Sequence, residues 1–180
     1  MDDTGRERWD IDFDVAKSMR YHAYRRKFWD NADIAAKILT GISGAGVLIA
    51  VIGEYEPLST VFAIAVAVTS VVDVVLRFGK RARLHDSLYR DFSLLAQDIA
   101  ARESPSKTDL GKWRQRRIAI ERKEPGIIDL LERRCAAEEA VSRGAEVSPE
   151  WQLSAWQVLI SQFPVFSLPR GFKKKGAKAS

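Results

Sequence analysis

The sequence is poor in the residues that build covalent cross-links and metal sites. Its 180 residues include one cysteine, Cys135, and two histidines, His22 and His85. A single cysteine excludes a disulfide within the chain, and three such side chains are too few for a zinc site built from Cys and His. The composition therefore suits a reducing compartment, and we expect no metal and no other cofactor.

Catalytic signatures are also lacking. No glycine-rich phosphate loop is followed by Lys and Ser or Thr, and the glycines at positions 41, 44 and 46 lie in an apolar segment without a preceding strand. His22 and His85 are expected to be surface or packing residues rather than acid–base catalysts. Cys135 is expected to be structural rather than reactive, and Glu138-Glu139 to lie on a solvated helix face. We predict no catalytic residue and no enzyme.

Charge is nearly absent between Ile38 and Leu76, where only Glu54, Glu56 and Asp73 are ionisable. Two apolar segments fill this region, with a polar break between them at residues 53–57. The first, Ile38–Gly53, provides roughly 24 Å of helix and can begin earlier, near Asp33, if Lys37 snorkels to the headgroups. The second, Leu58–Leu76, has the length that a hydrocarbon core of ~30 Å requires. The pattern predicts a transmembrane helical hairpin at residues 33–77.

The alternative to a membrane hairpin is a buried hairpin in a soluble helical bundle. A soluble helix normally keeps a polar face, and neither segment has one wide enough to meet water. The three glycines of the first segment also disfavour a soluble helix, whereas glycine is common in membrane helices. The membrane interpretation is therefore preferred.

The flanking charges predict the orientation. Basic residues precede and follow the hairpin, whereas its turn carries two glutamates and no Lys or Arg. The positive-inside rule then places both termini of this multi-pass membrane protein in the cytoplasm and the turn on the other side. The first apolar run begins about 30 residues into the chain and lacks a small-residue cleavage pattern, so a secretory signal peptide is not expected.

Charges near the inner end of the hairpin are expected to pair across the two helices. If the chain folds back about Tyr55, Lys37 lies level with Asp73, and Asp33 with Arg77. A lone carboxylate at that depth costs roughly 2.5–3.5 kcal/mol on insertion scales, which favours a partner. We therefore predict two ion pairs, Lys37–Asp73 and Asp33–Arg77.

The hairpin also carries small and polar side chains. Two interpretations remain open: these residues pack helices against each other and against neighbouring copies, or they line a water-filled pore in an oligomer. A single hairpin cannot enclose a pore. The residues concerned are Thr40, Ser43, Gly44, Thr69, Ser70 and Asp73.

The remaining chain is predicted to be helical. Residues 1–32 form an N-terminal interfacial amphipathic helix, and residues 78–163 a cytoplasmic helical bundle. The second span is expected to continue unbroken to about Ser104, with helices following at 106–123 and 127–143. The cytoplasmic continuation of the second span presents an apolar seam that could pack on a partner helix in the bundle or in an oligomer. The seam residues are Leu84, Leu88, Phe92, Leu95 and Ile99. The overall fold class is therefore all-α.

Further apolar positions are expected in the later helices. These are Leu110, Trp113 and Ile120, then Ile127, Leu130, Leu131 and Cys135, then Leu153, Trp156, Ile160 and Phe163. Residues 164–180 form a basic tail with Arg170, Lys173, Lys174, Lys175 and Lys178. Three interpretations of the tail stay open: anionic lipid headgroups, a solvated end, or nucleic acid, which is the least favoured.

Taken together, these parts resemble the SLATT family, the SMODS- and SLOG-associating two-transmembrane effector domains of bacteria. The resemblance covers about residues 15–163 and depends on four elements. They are the segment Tyr21–Lys27, the hairpin, the segment Leu88–Phe92, and Glu124-Pro125 with Leu130, Leu131 and Cys135.

The resemblance implies a membrane effector of bacterial anti-phage and conflict systems. Such an effector would form pores or disrupt the inner membrane when a partner encoded nearby senses infection. The implied partner is a nucleotide-second-messenger synthase, a nucleotide-sensing protein or a reverse transcriptase. We expect a homo-oligomer in the bilayer. The alternatives are a non-conducting anchor that recruits a cytoplasmic enzyme, and a soluble helical bundle.

Overall fold

The structure is a computed structural model that describes residues 3–145, 147 and 152–163. All regular structure in these residues is helical, which confirms the all-α prediction. The helices are α1 (Asp3–Ile52), α2 (Glu56–Leu76), α3 (Phe78–Ala100), α4 (Lys107–Glu121), α5 (Asp129–Ser142) and α6 (Ala155–Ile160). The chain forms two compact units, Met1–Glu124 and Pro125–Ser180, which are described separately.

Helix α1 runs without interruption for 50 residues, a length of about 75 Å. The boundary expected near residue 32 is therefore not a break in the chain, and the N-terminal helix and the first apolar segment are one helix. The first proline of the sequence is Pro57, so no residue in this stretch lacks the backbone N–H that a helix needs. Pro57 lies in the first turn of α2, where a proline costs no helical hydrogen bond.

Gly53, Glu54 and Tyr55 form the turn between α1 and α2. The backbone N–H of Gly53 donates to Ile49 O at 2.9 Å, and that of Tyr55 donates to Ala50 O at 2.8 Å. A Cβ at Gly53 would lie only 2.7 Å from the Tyr55 ring. The Tyr55 ring therefore packs over Gly53, and the turn returns the chain along α1.

The prediction of an unbroken helix after the second span is wrong at Arg77. This residue has φ 50° and ψ 53°, a left-handed conformation that costs a non-glycine residue ~1–2 kcal/mol. Its N–H still donates to Asp73 O at 2.7 Å, while its carbonyl accepts from Lys80 N and Arg81 N. Arg77 thus ends α2 and begins α3, which closes at Ala100.

The main core of the first unit lies between α1, α3 and α4. Four residues of the predicted seam are buried there, namely Leu88, Phe92, Leu95 and Ile99, whereas Leu84 is 38% exposed. They pack with Ile11, Val15, Leu110, Trp113 and Ile120. The seam is therefore filled within one chain, and its expected use as an oligomer contact is not available. Helix α4 begins after a Ser106–Asp109 capping box.

A second, smaller cluster lies where the apolar segments begin. It contains Trp29 of α1 with Phe78 and Ala82 of α3, and it is flanked by Phe28, Ala32, Ala36 and Leu76. This cluster joins α1 to the start of α3 just beyond the Arg77 break.

The second unit contains α5 and α6. Leu130, Leu131 and Cys135 are buried as expected, but Ile127 is 49% exposed because α5 begins only at Asp129. The solvated-face prediction is wrong for Glu139, which is 5% exposed and accepts a hydrogen bond from Arg143 Nε at 2.7 Å. In the predicted apolar stripe, Trp156 and Phe163 are exposed. The basic tail with its prolines lies outside the described residues.

Candidate functional site: two apolar arms and their base

Two apolar arms dominate the surface of the first unit: residues Ile34–Ile52 of α1, and α2. Of the 25 exposed large hydrophobic side chains among the described residues, 17 lie between Ile34 and Val75. Ile49 is 70% exposed and Val74 is 72% exposed. A soluble monomer rarely exposes a contiguous apolar patch of more than a few hundred Å². The arms therefore present a surface unsuited to water.

By length and composition, two helical stretches can cross a membrane: Asp3–Ile52 and Glu56–Ala100. Core helices of soluble proteins meet the same criteria, but such helices are mostly buried. Here only 11% and 6% of the respective apolar windows are buried within the protein. The first arm is roughly 28 Å long and α2 roughly 31 Å, close to the thickness of a hydrocarbon core.

The arms touch each other through small residues of α1. A Cβ added at Gly46 would lie 2.8 Å from the ring of Phe62, so the absence of a side chain allows this approach. Ser43 and Ala50 share the same helix face at spacings of three and four, and both are buried. Gly41 and Gly44 have no atom within 4 Å of an added Cβ, so close packing does not require glycine there.

The residues proposed for a pore or packing face differ in exposure. Ser43 is 3% exposed and lies on the packed face of α1, whereas Ser70 is exposed. Thr69 donates through Oγ1 to Ala65 O at 2.8 Å, within its own helix. Thr40, Gly44 and Asp73 are half-buried. Five of the six residues are therefore at least partly buried, and both the packing and the pore interpretation stay predictions.

The two cross-helix ion pairs do not form in the structure. Lys37 Nζ instead bonds Asp33 Oδ2 at 2.5 Å, one turn away in α1. An i,i+4 pair with the acid N-terminal to the lysine needs no second helix. The left-handed backbone of Arg77 also interrupts the helix that would have placed Asp73 and Arg77 on one face.

A buried polar layer lies below the arms, and the sequence interpretation did not predict it. His22 Nδ1 and His85 Nδ1 are 2.9 Å apart, and His22 Nε2 is 3.0 Å from Glu124 Oε1. His22 is 1% exposed and His85 is 2% exposed, so of the two positions expected for them, surface or packing, both occupy a packing position. The contacts join α1, α3 and the segment after α4, which are far apart in sequence.

The electrostatics of this layer disfavour a charged His85. Burial, with the adjoining His22 and the cations Arg25 and Arg81, lowers the pKa of His85 to about 3. The Nδ1–Nδ1 contact then needs one proton, donated by either ring to the other. Phe92 stacks on the His22 ring, with centroids 5.6 Å apart, and Tyr21 meets the same ring edge-on. Along α3, His85 thus lies between Ala82 of the smaller apolar cluster and Leu88 of the main core.

Two guanidinium groups contact the Trp29 ring at the base of the arms. The Arg25 Cζ is 4.9 Å from the Trp29 ring centroid, and the Arg81 Cζ is 4.8 Å away. Both distances fall within the range of cation–π attraction. This arrangement holds two positive charges on buried aromatic surface where the arms emerge.

Comparisons with protein-family models, curated proteins and solved structures give no match to this chain. The resemblance to the SLATT family therefore stays a prediction. Among the residues that the structure describes, no three His, Cys, Asp or Glu side chains are grouped so that they could hold a metal ion.

Proposed function

We propose that this protein is a membrane protein whose two arms cross the bilayer as a helical hairpin. The observation that carries the proposal is the exposure of apolar side chains along nearly the whole of both arms. Water would contact this surface in a soluble monomer, whereas lipid tails would solvate it without cost.

The charge distribution supports a cytoplasmic location for both ends of the hairpin. The turn carries Glu54 and Glu56, while Arg77, Lys80, Arg81 and Arg83 follow directly after α2. The positive-inside rule places the basic end in the cytoplasm and the turn on the other side. The helical core and the histidine layer would then lie below the inner leaflet.

Carbonate extraction of membranes from expressing cells tests the location. We expect the protein to stay in the membrane pellet at high pH, because the arms would be embedded. Protease added to intact spheroplasts should leave both terminal regions intact. Release into the carbonate wash would instead indicate a soluble bundle whose arms are covered by another protein.

We further propose that the protein acts as a membrane effector of a bacterial conflict system, in line with the resemblance to SLATT domains. Two helices cannot enclose a pore, so this activity requires several copies in the bilayer. Because the α3 seam is filled within one chain, the copies would meet through the arms. Ser70 and Asp73 are then the polar groups best placed to face an inter-subunit space. A nucleotide-second-messenger synthase, a nucleotide-sensing protein or a reverse transcriptase would supply the trigger.

Expression in bacteria with a membrane-potential dye tests the effector proposal. We expect depolarisation and growth arrest that weaken in Asp73→Ala more than in Thr60→Ala, a matched change of a polar residue in the same helix. Cells that stay polarised and viable with and without the neighbouring genes would rule out this activity.

A non-conducting membrane anchor is the second candidate function. One observation favours it: Ser43 is buried between the arms and Lys37 is paired with Asp33, which leaves few polar groups for a channel. An anchor would co-purify with a cytoplasmic enzyme and would produce no ion flux in liposomes.

A further inference from the structure

A cleft of about 470 Å³ lies at the Arg77 break, where α2 ends and α3 begins. Four cationic side chains line it: Arg77, Lys80, Arg81 and Arg83. The apolar side chains of Val75, Leu76 and Leu84 complete the lining. We call this site the basic cleft. Because of this lining, the basic cleft combines positive charge with apolar surface that continues onto the second arm.

Several cations elsewhere in the first unit pair with acids on neighbouring helices. There, Arg26 bonds Asp86 at 2.7 Å, and Lys123 bonds Asp91 at 3.0 Å. In the basic cleft, Arg77, Lys80 and Arg83 make no ion pair with any residue that the structure describes, and Arg81 contacts the Trp29 ring. Four like charges therefore share one site without a balancing carboxylate.

One carboxylate, that of Asp33, reaches the edge of the basic cleft, where it is shared among several cations. Asp33 Oδ1 lies 3.5 Å from the position of a Cβ at Gly79, so its carboxylate reaches the start of α3. Its other oxygen, Oδ2, is bonded to Lys37 Nζ at 2.5 Å, and Arg83 Nη1 also lies 3.5 Å from the Gly79 Cβ position. A single carboxylate therefore faces Lys37 as well as the four cations of the cleft. The excess positive charge is left for a ligand outside the chain.

We propose that the basic cleft binds the phosphate headgroup of an anionic phospholipid of the cytoplasmic leaflet, with its acyl chains against Val75 and Leu76. This inference rests on the proposed insertion of the arms, which would place the cleft at headgroup level. Basic pockets at the cytoplasmic ends of membrane helices suit such headgroups, at ~1 kcal/mol per basic residue. A soluble phosphate would use the charges but not the apolar wall.

Photo-crosslinking tests the basic cleft. The full chain is reconstituted in phosphatidylcholine vesicles with a small fraction of photoactivatable phosphatidylglycerol, and the labelled residues are mapped by mass spectrometry. We expect labelling within residues 75–84, competition by unlabelled phosphatidylglycerol, and no competition by inorganic phosphate. Loss of labelling in millimolar phosphate would overturn the lipid assignment, because it would indicate a site for soluble anions.

The variant Arg77→Gly with Lys80→Ala removes two of the four charges. Glycine adopts positive φ readily and alanine favours a helix, so the fold should survive, as circular dichroism can check. We expect labelling in residues 75–84 to fall at least tenfold, since two charges at ~1 kcal/mol each predict roughly 30-fold. The matched control, Lys107→Ala with Lys112→Ala on α4, removes the same charge and should label like the wild type. Equal labelling of both variants would refute binding of the phospholipid headgroup in the basic cleft.

The two proposals fail differently. If the wild-type chain resists carbonate extraction but is not labelled in residues 75–84, the lipid site is wrong and membrane insertion stands. If the chain is washed from the vesicles by carbonate, insertion is wrong, and the lipid site falls with it.

Discussion

The two halves of α1 belong to one helix but face different surroundings. In the first half, Ile11, Val15, His22 and Trp29 are buried against other helices of the same unit. In the second half, Ile38, Ile42 and Ile49 are more than half exposed. The backbone is continuous, so the difference arises from the partners available to each half. The first half is stabilised within the chain, while the second needs an environment that the chain does not supply.

The largest expected effect is on stability, from the truncation of a large core side chain that packs on the first half of α1. Phe92 is fully buried and packs on the first half of α1, whereas Leu94 on the same helix is 50% exposed. Phe92→Ala should lower the stability of the first unit by about 3–5 kcal/mol, through lost burial and the cavity left behind. Thermal melts of the full chain in detergent measure the change, with Leu94→Ala as the control. Similar melting temperatures of both variants would show that packing of α3 through Phe92 does not stabilise the core.

A charge on an arm should affect the membrane location rather than the core. Val68 is 57% exposed near the middle of α2, where an arginine costs roughly 2.5–3.5 kcal/mol on insertion scales. We expect Val68→Arg to reduce the carbonate-resistant fraction, while Leu94→Arg leaves it unchanged. If Val68→Arg inserts as well as the wild type, the exposed face of α2 does not meet lipid.

Replacing glycine by alanine in the first arm should have opposite effects on stability at two positions, depending on whether the position contacts α2. Gly46→Ala places a Cβ against Phe62 and should cost about 1–3 kcal/mol through overpacking. Gly44→Ala meets no atom within 4 Å and should stabilise the helix by roughly 0.5–1 kcal/mol. Unfolding in a denaturing detergent compares the two variants. A shift of equal sign would mean that the arms do not touch at Gly46.

Acid should weaken the buried half through His85. The folded protein keeps the pKa of His85 near 3, so between pH 6.5 and pH 3 the unfolded chain binds a proton that the folded chain does not. Stability is then fully present above pH 6.5 and falls as the pH decreases, by up to about 1.4 kcal/mol per pH unit. Melting temperatures at pH 7.5, 6 and 5 measure this slope. His85→Gln should flatten it, and an unchanged slope would assign the acid sensitivity to another group.

Local composition was enough to predict the helical class, the turn before Pro57, and most of the core. The seam residues Leu88, Phe92, Leu95 and Ile99 are buried as expected because their spacing depends only on helix geometry. The break at Arg77 was missed because arginine is not a residue that signals a left-handed backbone.

The histidine layer was missed because it depends on contacts between distant parts of the chain. His22 and His85 are 63 residues apart, and His22 and Glu124 are 102 apart. A signal was nonetheless present. His85 lies three residues after Ala82 and three before Leu88, on the buried face of α3 that Leu84 had been expected to occupy. A polar residue in an apolar register is the pattern that would have indicated burial.

The uninterrupted length of α1 has a mechanical consequence. The helix is clamped by α3 and α4 along its first half and continues as a single rod into the first arm. A tilt of about 10° at the Trp29 cluster would displace the far end of the arm, roughly 35 Å away, by about 6 Å. Under the proposed insertion, a partner that tilts this clamped helical core as a whole would therefore reposition the arm without any hinge.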